Sequence, residues 1–124
     1  TPSTLRVAGR DVVIECSAGD VALVTFAELC EAPLAARDYL AVAGKYAGIV
    51  MRGVPSFGDQ NEASARRFMW LVDALYDRSR FLIASAATDI DALYDGHHFA
   101  FEFSRTMSRL SEMTCRGKLF QTDI

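Results

Sequence analysis

Two apolar runs with a helical pattern between them constrain the fold of this chain more than any other feature. Residues 81–87 read FLIASAA, and residues 48–55 form a second β-type run that ends in proline. A short, nearly continuous apolar run is typical of a parallel strand that is covered on both faces. Residues 62–78 carry apolar side chains at spacings of three and four, which predicts a long helix. Strand, helix and strand in this order imply a right-handed crossover and a parallel pair of strands.

The amino-terminal segment predicts a small antiparallel β unit. Two β-type runs within residues 5–16 flank a turn-forming segment, which is typical of a hairpin, and residues 21–26 predict a third strand. The predicted fold class is therefore α/β, with alternating helices and parallel strands. We expect the antiparallel β unit over residues 1–26 to dock at an edge of an α/β region over residues 27–116, with a tail over residues 117–124.

Local signals predict where the other helices begin and end. Pro33 suits the first turn of a helix, because its missing N–H group costs nothing there. Asn61 is a candidate N-cap for the long helix, and residues 88–94 predict a short helix. Phenylalanines alternate over residues 99–103, which predicts an extended, core-packed approach to a last helix that ends near Cys115.

Composition excludes several classes of protein. The 124 residues fit one domain, 51% of them are hydrophobic, and the net charge is −3. This balance does not favour a nucleic-acid partner or a polybasic membrane anchor. No apolar run reaches the roughly 18 residues that a membrane span needs. The first residues include neither Met nor a signal-peptide pattern, and we interpret them as the cut edge of a longer protein.

The cysteines and histidines give no strong signal of a reactive or metal site. Cys16, Cys30 and Cys115 are widely spaced, which favours reduced structural thiols in a cytoplasmic type of compartment. His97 and His98 are adjacent and follow a turn signal, so their side chains should diverge on a surface loop and no metal site is expected. A small stand-alone enzyme that uses one of these histidines is an alternative hypothesis.

Two arginines four residues apart form the clearest candidate site. Arg105 and Arg109 share one face of the predicted last helix. An arginine has five donors in a rigid fork and keeps its charge, so such a face suits a phosphate or a carboxylate. The alternative is a structural pairing of Arg105 with Glu102, and of Arg109 with Glu112 or Asp73.

Other polar residues are weaker candidates. Ser85 is predicted at the carboxyl end of a buried strand, where open parallel sheets bind ligands. The alternative to a ligand-binding role is a structural one, in which a small side chain makes room for a crossing helix. Arg66 and Arg67 lie in the first turns of the long helix, where cations oppose the helix dipole. This position makes them weak candidates for binding an outside partner, and a solvated surface is the favoured alternative. Asp73 and Asp77 are four residues apart, but ion pairing is favoured over acid–base catalysis.

The sequence has no nucleotide-binding loop. It contains neither GxxxxGKS nor GxxxxGKT, and no GxGxxG. The run over residues 49–54 is not followed by an acidic residue that would hold magnesium. We therefore expect that this chain alone does not hydrolyse ATP.

Six groups of residues occur in an order that resembles a known family, and the resemblance spans about residues 6–114. They are FAELCEAP at 26–33, ARDYLA at 36–41, GVP at 53–55, ARRF with LVDALYD at 65–77, ASAA with ALY at 84–94, and FEFSRT with SRLSEM at 101–113. Together they resemble the C-terminal portion of the ZapE-type AAA ATPases, bacterial relatives of a mitochondrial AAA protein. The family often has prolines where this chain has residues 88–91, and residues 95–100 look short for the family.

The resemblance implies a fragment of a P-loop ATPase whose phosphate loop and magnesium-binding acid lie upstream. ATP and Mg²⁺ would then be cofactors of the parent protein, and none is expected for the fragment alone. Arg105 and Arg109 would be candidates for an arginine finger or sensor, and Ser85 a weaker candidate for contact with the cofactor. The expected location is the cytoplasm, at the inner face of the membrane, or the mitochondrial matrix in a eukaryote.

The resemblance also implies binding partners. They are the upstream ATPase portion of the same chain and a cell-division or protease component. A second copy is a further candidate, because a truncated α/β domain exposes apolar surface. The overall charge does not favour a nucleic acid. The alternative function is a non-catalytic protein-interaction module, which would use Arg66, Arg67 and the early hairpin.

Overall fold

The structure is a computed structural model that describes residues 3–7, 10–14, 17–88, 92–97, 99–115 and 120–122. Its elements are, in chain order, β1 (Ser3–Val7), β2 (Arg10–Ile14), β3 (Ser17–Ala18), β4 (Val21–Thr25), α1 (Phe26–Cys30), α2 (Ala36–Lys45), β5 (Gly48–Val54), a 3₁₀ turn (Asp59–Asn61), α3 (Glu62–Asp77), β6 (Phe81–Ala86), α4 (Ala100–Cys115) and β7 (Phe120–Thr122). No helix among these residues is long and apolar enough to cross a membrane.

The strands form two sheets. Strands β1 and β2 form the predicted antiparallel hairpin, and the second sheet has the order β3-β4-β5-β6-β7. Strand β3 is antiparallel to β4, whereas β4, β5, β6 and β7 are all parallel to their neighbours. The predicted α/β class and the parallel β5–β6 pair are therefore confirmed.

Two strand pairings cross the boundaries of the predicted division of the chain. Strand β4 lies within residues 1–26, yet it pairs in parallel with β5 and belongs to the main sheet. The segment 117–124, predicted as a tail, contributes β7, which pairs with β6. Both pairings join strands that are far apart in sequence, and local patterns do not indicate them.

The four helices of the described part of the chain lie on one face of the main sheet. Helix α2 packs on α3, and α3 packs on α1 and on α4. The parallel strands follow one another in the sheet in chain order, so successive right-handed crossovers place their helices on the same side. Buried sheet residues face these helices: Ala22, Val24, Ile49, Met51, Leu82, Ala84 and Ala86.

The other face of the sheet, which we call the open face, is not covered by the described helices. Its side chains alternate with the buried ones and comprise Val21, Leu23, Thr25, Val50, Arg52, Phe81, Ile83 and Ser85. All of them are half-buried except Arg52, which is exposed. The described helices therefore cover only one face of β6, and the predicted cover of its second face remains a prediction.

Aromatic rings form the centre of the core between the sheet and the helices. The Phe57 ring centroid lies 5.5 Å from Phe26, 5.3 Å from Phe68 and 5.4 Å from Phe103. The Tyr94 ring stacks on Phe103 at 4.9 Å. This cluster joins α1, α3, α4 and the loop after β5, so it fixes α4 and its arginines relative to the sheet.

Several predicted helix boundaries differ in the structure. Helix α2 begins three residues after Pro33, and its first turn is fixed by Asp38, whose Oδ2 accepts from Ala35 N–H at 2.7 Å. Asn61 occupies the N-cap position of α3, but its side chain accepts from Gly58 N–H at 2.9 Å instead of capping the helix.

The segment before α4 also differs from the prediction. Part of the short helix expected over residues 88–94 lies outside the described residues, and Tyr94 forms a β-bridge with Phe57. Helix α4 already begins at Ala100, so the alternating phenylalanines are not in an extended segment. Phe99 and Phe103 are buried, as predicted, whereas Phe101 points outward and is 87% exposed.

Candidate functional site

Arg105 and Arg109 converge on a single carboxylate. Arg105 Nη2 lies 3.4 Å from Asp73 Oδ2, and Arg109 Nη1 donates to Asp73 Oδ1. Asp73 lies on α3, so the three side chains link α3 to α4. The predicted pairing of Arg109 with Asp73 is present, and Arg105 also binds Asp73 rather than Glu102.

The two arginines differ in how firmly they are held. The Arg109 side chain is 24% exposed, and its guanidinium lies 4.8 Å from the centroid of the Tyr76 ring. The Tyr76 hydroxyl donates to Glu112 Oε2 at 2.7 Å, which orients the ring beneath the guanidinium. The Arg105 side chain is 63% exposed, and its contact with Asp73 is long, at 3.4 Å. Arg109 is therefore held by a carboxylate and by an aromatic ring, while Arg105 presents most of its guanidinium to solvent.

A groove between α3 and α4 runs beside Arg105. It has a volume of about 300 Å³, and its lining includes Arg66, Trp70, Asp73, Phe99 and Arg105. The Arg66 guanidinium lies 5.0 Å from the centroid of the Phe99 ring, a cation–π distance. The groove therefore combines two guanidinium groups and two carboxylates, those of Asp73 and Glu102, with an apolar floor.

The predicted binding pair Arg66 and Arg67 is divided between two environments. Arg66 is exposed in the groove, whereas Arg67 is half-buried and its Nη1 donates to the Cys30 carbonyl oxygen at 3.4 Å. Arg67 thereby ties α3 to the end of α1. Of the two, only Arg66 is in a position to meet an outside partner, so their predicted joint role remains a prediction for Arg66.

Cys30 is a free, buried thiol. Burial raises the pKa of Cys30 well above its ordinary value, and the nearby positive charge of Arg67 offsets only part of that effect. A thiol with a raised pKa forms little of the nucleophilic thiolate, so Cys30 is structural, as predicted. The side chains of Cys16 and Cys115 lie outside the described residues.

The raised pKa of Cys30 predicts a loss of stability at alkaline pH. The thiol of an unfolded cysteine has a pKa of about 8.5. The buried thiol of the folded chain has a raised pKa and keeps its proton at that pH. The free energy of unfolding should therefore be unaffected by this group below that pH and fall by about 1.4 kcal/mol per pH unit above it. Urea unfolding between about pH 8.5 and 10 should give a shallower pH dependence for Cys30→Ala than for the unsubstituted chain. Equal slopes would contradict the assignment.

Ser85 lies at the carboxyl end of β6, as predicted, but on the open face. Its Oγ accepts from Gly53 N–H at 3.4 Å, across an irregularity in the β5–β6 pairing. Gly53 has a φ of 80°, which a side chain would strain, so glycine is needed for this bend. None of the described helices covers Ser85, and its role toward a cofactor remains a prediction.

His97 lies on an exposed loop, as predicted. Its ring Nδ1 is 3.2 Å from Asp59 Oδ2, and its backbone N–H donates to Asp59 Oδ1 at 3.1 Å. The two side chains are 92% and 61% exposed. His98 lies outside the described residues, and within those residues no cluster of three metal-binding side chains occurs.

Comparison with known proteins identifies the family. A model of the family described as AFG1-like ATPase matches residues 1–121. The chain belongs to the AFG1-like ATPase family. The family resemblance predicted from the sequence motifs is therefore confirmed.

The AFG1-like relatives come from animals, fungi and bacteria. Lactation elevated protein 1 homolog B of Danio rerio is 35% identical over 90% of this chain and 22% of its own length. Cell division protein ZapE of Escherichia coli K12 is 33% identical over 89% of this chain and 29% of its own length. An uncharacterised protein of Schizosaccharomyces pombe is 28% identical over 88% of this chain and 30% of its own length. This chain thus spans less than a third of each of these relatives, and no solved structure matches it.

The described AFG1-like segment does not supply a complete site for magnesium and ATP. The carboxyl ends of β5 and β6 border a depression of about 260 Å³, lined by Gly53, Val54, Pro55, Ser85, Ala86 and Ala87. Among these described lining residues there is one hydroxyl group, and there is neither a carboxylate for the metal nor a lysine for the phosphates. The described lining residues alone do not fit ATP with magnesium, and the cofactor of the parent protein remains a prediction.

Sequence reasoning missed Arg52 and Glu28. Both line a depression of about 380 Å³ on the open face, together with Leu23, Thr25 and Val50. Glu28 Oε1 accepts from Thr25 N–H at 2.8 Å, which closes the capping box of α1. The signal was available, because a lone arginine within the β-type run IVMRGV departs from the apolar pattern.

Proposed function

We propose that this chain is the carboxy-terminal part of an ATPase and presents Arg105 to the phosphates of ATP. The ATP would be held by another part of the parent protein or by a neighbouring subunit. The observation that carries the proposal is the contrast between a firmly anchored Arg109 and an exposed Arg105 on the same helix face. Membership of the AFG1-like ATPase family supports the hydrolytic activity of the parent.

Arg105 can leave Asp73 at little cost. An exposed ion pair contributes only about 0–1 kcal/mol, and the Arg105 side chain is 63% exposed. Asp73 would not be left unpaired, because Arg109 remains bound to its other oxygen. A transferring phosphoryl group spreads negative charge over its oxygens and offers the Arg105 fork a stronger partner. In this proposal Arg109 is a positioning residue that holds α4 in place.

The test is steady-state ATP hydrolysis by the full-length parent protein. Arg105→Ala should lower kcat at least tenfold, since an arginine that stabilises the transferring phosphoryl group contributes up to about 10³-fold or more. Arg105→Lys should recover only part of this loss, because an ammonium group cannot form the bidentate contact. Arg109→Ala should lower both turnover and thermal stability.

The matched control is Arg37→Ala, which removes an exposed arginine from α2. This variant should hydrolyse ATP at the unsubstituted rate. Turnover at the unsubstituted rate in Arg105→Ala would exclude the proposed role of Arg105, whatever the other variants show.

A second candidate function is a protein-interaction module, and the groove beside α4 favours it. Arg66 lies over Phe99 in this groove, and Phe101 nearby in sequence is 87% exposed. The name of the E. coli relative supports a cell-division component as partner. The resemblance to a mitochondrial AAA protein implies a component of protein quality control as the alternative partner. Loss of partner binding by Arg66→Ala, with unchanged ATP hydrolysis, would favour this function over the first.

A further inference from the structure

The open face of the sheet carries a continuous apolar patch at the centre of three strands. The pairing register places Leu23 beside Val50, and Val50 beside Ile83. The next row toward the amino ends of the strands contains Val21, Gly48 and Phe81 in the same way. Five apolar side chains therefore meet across β4, β5 and β6, and all are only half-buried.

The ring of Phe81 lies flat on the sheet and makes this patch flat. A Cβ atom placed on Gly48 would lie 2.3 Å from Cε2 of Phe81, so the ring rests directly on the glycine backbone. Glycine at this position lets a large ring lie over the sheet instead of standing away from it. The patch is consequently broad and low, which suits a helix or sheet packed against it.

Polar groups border the patch at the carboxyl ends of the strands. The third row pairs Thr25 with Arg52, and Ser85 lies at the corresponding end of β6. Glu28 adjoins Arg52 in the same depression, so the border carries both signs of charge. An apolar centre with a polar border is the usual anatomy of a protein interface.

Parallel sheets are ordinarily covered on both faces by parts of the same polypeptide. Here the four described helices all pack on the opposite face, and none covers the patch. The greater part of each of the three relatives lies outside the segment that this chain matches. An interface between separate proteins uses about 20–30 residues a side, whereas a tethered segment needs fewer contacts. Five apolar side chains suit a tethered partner better than a second copy.

We infer that the open face docks another segment of the same polypeptide, outside these 124 residues, through an apolar surface with a charged border. This inference rests on the proposed function only in taking the chain to be part of a longer ATPase. Arg52 and Glu28 would then select complementary charges on the docked segment. The docked segment would fix the carboxyl ends of β5 and β6 relative to the rest of the parent protein.

Cysteine labelling of the parent protein tests the inference. Val50→Cys and Ile83→Cys place thiols in the patch, and Leu40→Cys is the matched control because Leu40 is an apolar residue of α2 that is 47% exposed. Native protein at nanomolar concentration is treated with a maleimide, and labelling at each position is quantified by peptide mass spectrometry. We expect labelling at positions 50 and 83 to be at least about a hundredfold slower than at position 40.

A measurement on the unsubstituted parent covers the case in which a cysteine variant fails to fold. Hydroxyl-radical footprinting should oxidise Phe81 at least tenfold more slowly than Phe101, which is 87% exposed. Oxidation of Phe81 within threefold of Phe101, or maleimide labelling at positions 50 and 83 within tenfold of position 40, would overturn the inference. Protection that disappears on dilution would overturn it in favour of a second copy.

ATP hydrolysis, measured on the same samples, separates the two proposals. A parent that hydrolyses ATP through Arg105 but labels freely at positions 50 and 83 contradicts only the docking surface. A parent that is protected at both positions but does not depend on Arg105 contradicts only the proposed function.

Discussion

Phe57→Ala is expected to lower the free energy of unfolding by about 3–5 kcal/mol. Phe57 is 1% exposed and contacts the rings of Phe26, Phe68 and Phe103. Its removal loses the transfer free energy of a buried ring and leaves a cavity where four parts of the fold meet. A domain has a total stability of about 5–15 kcal/mol, so the variant should be close to unfolded at 37 °C. Urea denaturation followed by circular dichroism measures the difference.

Phe101→Ala is the matched control, since it makes the same chemical change on an 87% exposed side chain. We expect its unfolding free energy to remain within about 0.5 kcal/mol of the unsubstituted chain. Similar losses in the two variants would mean that the aromatic cluster does not hold the core together as described.

Asp73→Ala is expected to lower the free energy of unfolding by about 2 kcal/mol, between the values for surface and buried ion pairs. The substitution leaves Arg109, which is only 24% exposed, without its carboxylate. It also places two like charges on one face of α4 with no anion between them. Asp77→Ala, which removes an exposed carboxylate one turn along α3, should cost less than about 0.5 kcal/mol.

Double-mutant cycles should divide the Asp73 effect unequally between the arginines. The coupling of Asp73 with Arg109 should reach about 1–2 kcal/mol, and the coupling with Arg105 should stay below about 0.5 kcal/mol. The weaker coupling should disappear in about 1 M salt, since exposed charges are screened while half-buried ones are screened less. Equal couplings would show that Asp73 holds Arg105 as firmly as Arg109. Arg105 could then not leave Asp73 at little cost, and the proposal that it binds the phosphates of ATP would lose its physical basis.

Strong local patterns were sufficient for the central part of the fold. The run that contains β5, the run that forms β6 and the helical pattern of α3 each carry their own periodicity, and the structure confirms the parallel pair. Strand β7 has only three residues and pairs through a wholly non-local contact, so no pattern indicated it. Phe101 was misassigned because the alternation of phenylalanines fits a strand, whereas the last helix already begins at Ala100.

The sequence by itself determined the family, the parallel strands and the shared helix face of Arg105 and Arg109, because motif order and periodicity are local properties. Tertiary structure decided which carboxylate the two arginines share and how unequally they are held. It also decided that the apolar residues of β6 face two different environments. The physical reason is that burial and ion pairing depend on which elements come together. The one-sided helix packing follows from a strand order that only the folded sheet reveals.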